Sequence, residues 1–138
     1  MLLLDTNVIS EFRKISKGKA DPHFVAWQRE ILPSLFYISA ISIMEIELGI
    51  LKIQRKDHTQ GEVLRKWLEY KVIPAFDSRI LNIDVSVARV CANLHVPDPR
   101  SERDALIAAT AITNGMSLVT RNTKDFKDMG LNLINPWE

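Results

Sequence analysis

Short apolar runs alternate with longer amphipathic ones along the whole chain. The first run, Leu2, Leu3 and Leu4, is continuous and closes on an acid, Asp5. A run so short and so uniformly apolar predicts a strand buried on both faces. Residues 7–13 predict a short helix, which the polar, glycine-containing stretch 16–19 breaks. Asp21 and Pro22 then read as an N-cap followed by proline at the first helical position. They open a helix that carries Phe24, Val25 and Trp27 and ends near Pro33. Residues 35–38 predict the second strand. Over residues 42–52 apolar side chains cover nearly the whole helical circumference, leaving a stripe of Glu45, Gly49 and Lys52. A helix apolar on so many sides is buried on most of them, and in a chain this small part of that surface is expected to meet another chain.

Residues 55–60 are polar and read as a loop. Residues 62–71 are amphipathic, with Val63, Trp67 and Leu68 on the apolar side, and Pro74 is expected to stop that helix. Residues 80–83 predict the third strand and residues 85–94 a helix. The two prolines within residues 96–101 exclude a helix interior there. Residues 103–114 predict a helix closed by Gly115 in the left-handed cap position. Residues 117–120 and 131–134 complete the strands. This alternation predicts an α/β fold, a single domain over residues 1–138, with a central parallel five-stranded sheet and helices on both faces.

Composition narrows the picture. The 46% hydrophobic and 25% charged content is that of an ordinary globular domain. A net charge of +1 excludes an overall field that would draw the chain onto nucleic acid, so any such contact must come from a local patch. The one cysteine, Cys91, lies among Val90, Ala92 and Leu94 and reads as a small core residue. No internal disulfide can form, which fits a reducing, cytoplasmic setting. Asp5 interrupts the apolar opening too early for a signal peptide or a membrane span, and no other run reaches membrane length. The three histidines, His23, His58 and His95, show no metal-ligand spacing and read as structural or surface residues.

The acids are where the chemistry gathers. In open parallel sheets, sites form beyond the carboxyl ends of the strands where strand order reverses. Asp5 stands directly after the first predicted strand, Glu45 early in the helix after the second, and Asn122 and Asp125 after the fourth. Asp104 opens the helix that precedes the fourth strand and reaches the same edge if its helix starts there. Each has an ordinary reading alone: Asp5 and Asp125 as caps, Glu45 as a solvated helix residue, Asp104 as a favourable charge at a helix N-terminus. Their joint fall on one edge carries more weight than any of them singly. Gathered carboxylates raise one another's pKa unless a cation offsets the repulsion. Mg²⁺ suits such a cluster, because it takes hard oxygen donors and keeps several of its waters.

Five blocks then resemble a known family. They are residues 2–10 (Leu-Leu-Leu-Asp-Thr-Asn-Val-Ile-Ser), residues 39–49 from Ser39 through Glu45 to Gly49, residues 103–111, residues 118–126, and Asn135-Pro136-Trp137. In this order, and spanning nearly the whole chain, they resemble PIN-domain proteins, above all the VapC toxins of toxin–antitoxin pairs and their FitB-like relatives. The resemblance implies a three-layer α/β/α sandwich and a metal-dependent endoribonuclease that cleaves RNA, using Mg²⁺ with Mn²⁺ able to substitute. It also implies inhibition by a cognate antitoxin protein and usually a homodimer. Residue by residue, Asp5, Glu45 and Asp104 match the family's acidic triad, with Asp5 and Asp104 as metal ligands. Many members carry aspartate at the position of Asn122; here the nearest acid is Asp125. Thr6, Ser42 and Thr120 are placed to orient carboxylates or waters, and Arg100, Arg103 and Arg121 to hold RNA phosphates. Two other functions compete: a phosphatase with an aspartyl nucleophile, which usually has a second acid where this chain has Asn7, and a binding module whose acids are remnants.

Overall fold

The computed structural model describes all 138 residues. Five short strands, β1 (Leu2–Leu4), β2 (Phe36–Ser39), β3 (Ile80–Leu81), β4 (Ser117–Val119) and β5 (Leu133–Ile134), form one sheet. The helices are α1 (Thr6–Ile15), α2 (Pro22–Arg29), α3 (Ala40–Lys56), α4 (His58–Trp67), α5 (Ile73–Ala75), α6 (Val85–Leu94) and α7 (Glu102–Thr113). The strand order is β3-β2-β1-β4-β5 and every pairing is parallel. Both β2 and β4 flank β1, with Leu4 in register with Ile38 on one side and Val119 on the other. The chain therefore winds outward from β1 in two directions, and a crevice is expected beyond its carboxyl end.

Successive strand residues face opposite sides of a sheet, and Leu3 and Leu4 divide accordingly. Leu4, Ile38 and Val119 pack with Val8 and Ile9 of α1, Phe24 of α2 and Ile46 and Ile50 of α3. Leu3 and Leu118 pack with Ile107, Ala108 and Ala111 of α7. Small residues let α7 lie close on two sides: α6 covers it through Val87 and Cys91 against Ala105 and Ala109. The result is the expected three-layer α/β/α sandwich around five parallel strands. Cys91 is a buried core residue, as its neighbours predict.

Four local expectations are corrected. Residues 55–60 are helical apart from Asp57, which serves two helices at once. Its N–H donates to the Ile53 carbonyl at the end of α3, and its carboxylate accepts the Gln60 N–H (3.0 Å) at the start of α4. The two helices close tightly because Gly61 lies against Gln54, where a Cβ would come within 2.8 Å of the Gln54 Cα. Polarity along 55–60 reported exposure and not the absence of a helix. Pro74 does not end the helical path either. A π-turn over Leu68–Val72 shifts the hydrogen-bond register ahead of the proline, and α5 continues to Ala75. Helix α3 begins at Ala40, capped by the Ser39 hydroxyl, so Glu45 falls in its second turn. Predicted strands 80–83 and 131–134 shorten to two residues each.

The apolar girdle of α3 is only partly covered. Ile46 and Ile50 enter the core, while Met44 (46%), Leu48 (36%) and Leu51 (49%) stay exposed along one face. No helix is long and apolar enough to cross a membrane.

Candidate active site

The carboxyl end of β1 delivers Asp5 into the crevice. Its backbone N–H continues the sheet by donating to the Val119 carbonyl (2.9 Å), which fixes the residue before its side chain does anything. Oδ1 accepts the Thr6 N–H (2.8 Å), so Asp5 does cap α1. Oδ2 accepts the Thr120 hydroxyl (2.8 Å) and a longer bond from the Asn7 amide (3.4 Å). The cap and the site are thus the same carboxylate, and it is only 7% exposed.

Thr6 joins the first acid to the second. Its hydroxyl donates to Glu45 Oε1 (2.7 Å) and lies 2.9 Å from the Ser42 hydroxyl. Since Thr6 has one hydroxyl proton and gives it to Glu45, Ser42 is the donor in that second contact. Arg103 approaches the other oxygen of Glu45 at 3.5 Å, an exposed and weak ion pair. Thr120 is buried and two-sided: it donates to Asp5 and accepts the Asn122 N–H (3.0 Å). Asp104 stands in the first turn of α7, half-buried, and Asp125 in the short turn Thr123–Phe126 after β4.

The electrostatics tie these acids together. Burial, opposed by the Thr120 and Thr6 hydrogen bonds, holds the Asp5 carboxyl above its ordinary range, and the charges of Glu45 and Asp125 raise it further. Burial likewise pushes Asp104 from 3.8 to about 6, with Asp5, Asp125 and Glu45 adding to the rise and the Ser101 hydroxyl opposing it. No lysine or arginine makes an ion pair with Asp5 or Asp104. Hard oxygen donors, mutual repulsion and no counter-charge on Asp5 or Asp104 are features a small divalent cation satisfies, so these residues fit Mg²⁺.

The raised Asp104 value fixes a sign. Between 3.8 and about 6 the folded metal-free chain binds more protons than the unfolded one, so this group's contribution to stability falls as pH rises through that window. In chelator, Asp104→Asn is expected to gain in Tm on the wild type near neutral pH and to lose that advantage toward pH ~4. Melting curves of both proteins across the range check this. A difference independent of pH would show that Asp104 titrates ordinarily.

The sequence-predicted residues separate on this geometry. Asp5, Glu45, Asp104 and Asp125 act on one another electrostatically, and Thr6, Ser42 and Thr120 hold two of them by hydrogen bonds. Asn122 contributes its N–H to Thr120, while its side chain is exposed and bonded to none of the acids. Arg100 is engaged within the chain: its guanidinium donates to the Leu94 (3.0 Å), Lys127 (3.1 Å) and Asp128 (3.4 Å) carbonyls, so it braces the chain between α6 and β5 and has few donors left for a phosphate. Sequence reasoning missed the part played by Asn7. Asn7 was visible only as the absence of a second acid. Yet its amide donates to Asp5 and its Oδ1 accepts the Arg121 N–H (3.4 Å), linking both sides of the crevice. His95 also does more than its spacing indicates: Nε2 lies 3.8 Å from the Cys91 Sγ and 3.6 Å from a Glu102 carboxylate oxygen. Its Nδ1, however, accepts the Arg100 N–H (3.1 Å), which places the neutral ring's proton on Nε2, so this trio is not arranged to ligate a metal through that nitrogen.

Comparison with known proteins agrees with this architecture. The PIN domain family matches residues 2–131. The VapC ribonuclease Y4jK of Sinorhizobium fredii is 34% identical over the whole chain and 99% of its own length. The crystal structure of FitAcB from Neisseria gonorrhoeae superposes with a TM-score of 0.88 at 32% identity, covering all of this chain and 99% of that one. A toxin–antitoxin complex from Klebsiella pneumoniae gives 0.67 at 27% identity, covering 100% and 99%. With its sheet order, its acids at the switch point and a match over nearly its whole length, the chain belongs to the PIN-domain family.

Proposed function

We propose that the chain is an Mg²⁺-dependent endoribonuclease that hydrolyses RNA phosphodiester bonds as the toxin of a toxin–antitoxin pair, acting in the cytoplasm. The observation that carries this reading is the buried Asp5 carboxylate, gathered with Glu45, Asp104 and Asp125 at the switch point without an ion-pair partner of its own. Y4jK, a full-length relative, is named a ribonuclease, which supports the same chemistry here. Asp5 and Asp104 would hold the ion, and Glu45 would act beside them, with Mn²⁺ an acceptable substitute. When bound, the ion supplies an acidified water and stabilises charge on the phosphodiester. The chain's own residues orient the acids: Thr120 and Asn7 set Asp5, while Thr6 sets Glu45. Asp125 adds charge to the same volume, and Asn122 stands at the family's fourth position as an exposed amide. Purified protein incubated with single-stranded RNA is expected to give internal cleavage with Mg²⁺ and none with chelator. Cleavage indifferent to chelator, or none with the metal, counts against the reading.

Two protein partners belong to the proposal. A groove of about 740 Å³ runs between α1 and the α4–α5 segment, with Phe12, Phe36 and Trp67 in its floor and Lys17, Lys66 and Lys71 on its rim. No acidic residue lines it, so it favours an amphipathic, acidic antitoxin segment. The Klebsiella pneumoniae neighbour is a toxin–antitoxin complex, which supports such a partner. The exposed face of α3 at Met44, Leu48 and Leu51 is the proposed homodimer contact. Leu51→Glu would place a charge in that contact and is expected to shift sedimentation toward monomer. Unchanged sedimentation removes this face from the interface.

A further inference from the structure

Three arginines lie near the acids in sequence, and their guanidinium groups have different fates. Arg100 is spent on three carbonyls and Arg103 leans on Glu45. Arg121 has no carboxylate in ion-pair reach; it lies over the Trp137 ring, 5.4 Å from the centroid. A guanidinium stacked on an aromatic face keeps its edge N–H groups available for an anion.

The stack is anchored from two sides. The Trp137 ring rests 5.3 Å from that of Phe24, and its backbone N–H donates to Asn135 Oδ1 (3.0 Å). The Asn135 amide donates to the Arg121 carbonyl (3.4 Å) and to the Glu138 carboxylate (3.2 Å). On the other side, the Arg121 N–H donates to Asn7, whose amide donates to Asp5. The backbone of Arg121 thus connects the acidic cluster to the C-terminal turn. A pocket of about 350 Å³ opens there, lined by Arg121, Asn122, Lys124, Asp125, Asn135 and Glu138 among others, with no hydrophobic side chain in its wall.

We propose that Arg121, lying over the Trp137 ring, grips a phosphate of the RNA strand next to the one that is cut, and that the Asn135–Trp137 turn is the element that positions it. This rests on the nuclease reading. A wall without apolar side chains offers no face for stacking a base, and the adjacent Trp137 is already engaged by Phe24 and Arg121. A planar guanidinium, by contrast, matches two phosphate oxygens at once. The formal charges of Arg121 and Lys124 are balanced by Asp125 and Glu138, so binding depends on one placed group and not on a diffuse positive field. Trp137 is a positioning residue; Arg121 touches the substrate.

The test is binding of a fluorescent single-stranded RNA of mixed sequence to Asp5→Asn protein with Mg²⁺, where the strand stays intact, over a range of salt. Adding Arg121→Ala is expected to weaken binding about tenfold and to lower the slope of log K against log salt by about one phosphate contact. Arg121→Lys should restore the slope and only part of the affinity, since an ammonium cannot reproduce the bidentate fork. Trp137→Leu should weaken binding and Trp137→Phe, which keeps an aromatic face, should largely retain it; should Trp137→Leu fail to fold by its melting curve, the two Arg121 variants decide. Affinity and slope unchanged by Arg121→Ala overturn the proposal, as does full binding by folded Trp137→Leu. The nuclease reading is judged separately, by whether the unaltered chain cuts RNA with Mg²⁺: if it cuts and Arg121→Ala binds normally, only the phosphate contact falls.

Discussion

Asp5→Asn is expected to abolish RNA cleavage while the fold survives. Asparagine has the same shape and is a good N-cap, so its Oδ1 can still take the Thr6 N–H and α1 keeps its start. What disappears is the charge and the second acceptor. The Thr120 hydroxyl, which donates to Oδ2, would then face an amide donor and has to turn away. If Asp5 ligates the proposed ion, its loss would forfeit several kcal/mol of charge stabilisation in the transition state, a rate loss on the order of a thousandfold or more. Asp104→Asn should fall as far, and Glu45→Gln less, because Glu45 is also held by Thr6 and Arg103 and its place at the ion is less direct. The assay is cleavage of single-stranded RNA by each purified protein, with melting curves to establish folding. Undiminished cleavage by either aspartate variant, free of contaminating nuclease, would remove the acidic cluster from the mechanism.

Mg²⁺ is expected to stabilise the wild type strongly and the Asp5→Asn protein hardly at all. In the unfolded chain these acids are scattered over more than a hundred residues of sequence, so an ion held by them would bind the folded state almost alone. At about 100 times its Kd, the gain is roughly 2.7 kcal/mol. For a domain of this size that is a rise in Tm of roughly 10 °C. A cation bound there would also offset the mutual repulsion that adds to the burial-raised pKa values of Asp5 and Asp104, so the two effects would act in the same direction. Four melts decide it: both proteins, with chelator and with Mg²⁺. An equal metal shift in wild type and variant would place the ion away from Asp5.

Local pattern was enough to establish much of this. Leu2, Leu3 and Leu4 followed by Asp5 predicts a buried parallel strand with an acid at its carboxyl end, because a strand covered on both faces needs no polar alternation. Asp21 with Pro22, and Gly115 after α7, mark helix ends through backbone chemistry that acts over a few residues. The family blocks placed Asp5, Glu45 and Asp104 together, and the crevice beyond β1 is where the sheet order puts them. The misreadings have the opposite character. Residues 55–60 were polar enough for a loop, and only the fit of Gly61 against Gln54 makes them part of a tight helical pair. Pro74 is tolerated because a π-turn precedes it, which no proline rule anticipates.

What the sequence by itself determined, then, is the alternation of elements, the parallel sheet and the residue types at its active edge. The tertiary structure decided which partner each polar group has. Arg100, Arg103 and Arg121 had equal claims on a phosphate in sequence, being the same residue type and each close to a candidate acid, Asp104 or Asp125. Folding sends Arg100 to carbonyls as far as Asp128, Arg103 to Glu45 fifty-eight positions away, and Arg121 onto Trp137. The reason is one of range. Periodicity and capping record the preferences of a few neighbouring residues, whereas a hydrogen bond such as that from Thr120 to Asp5, one hundred and fifteen positions apart, exists only once the sheet has brought β1 and β4 side by side.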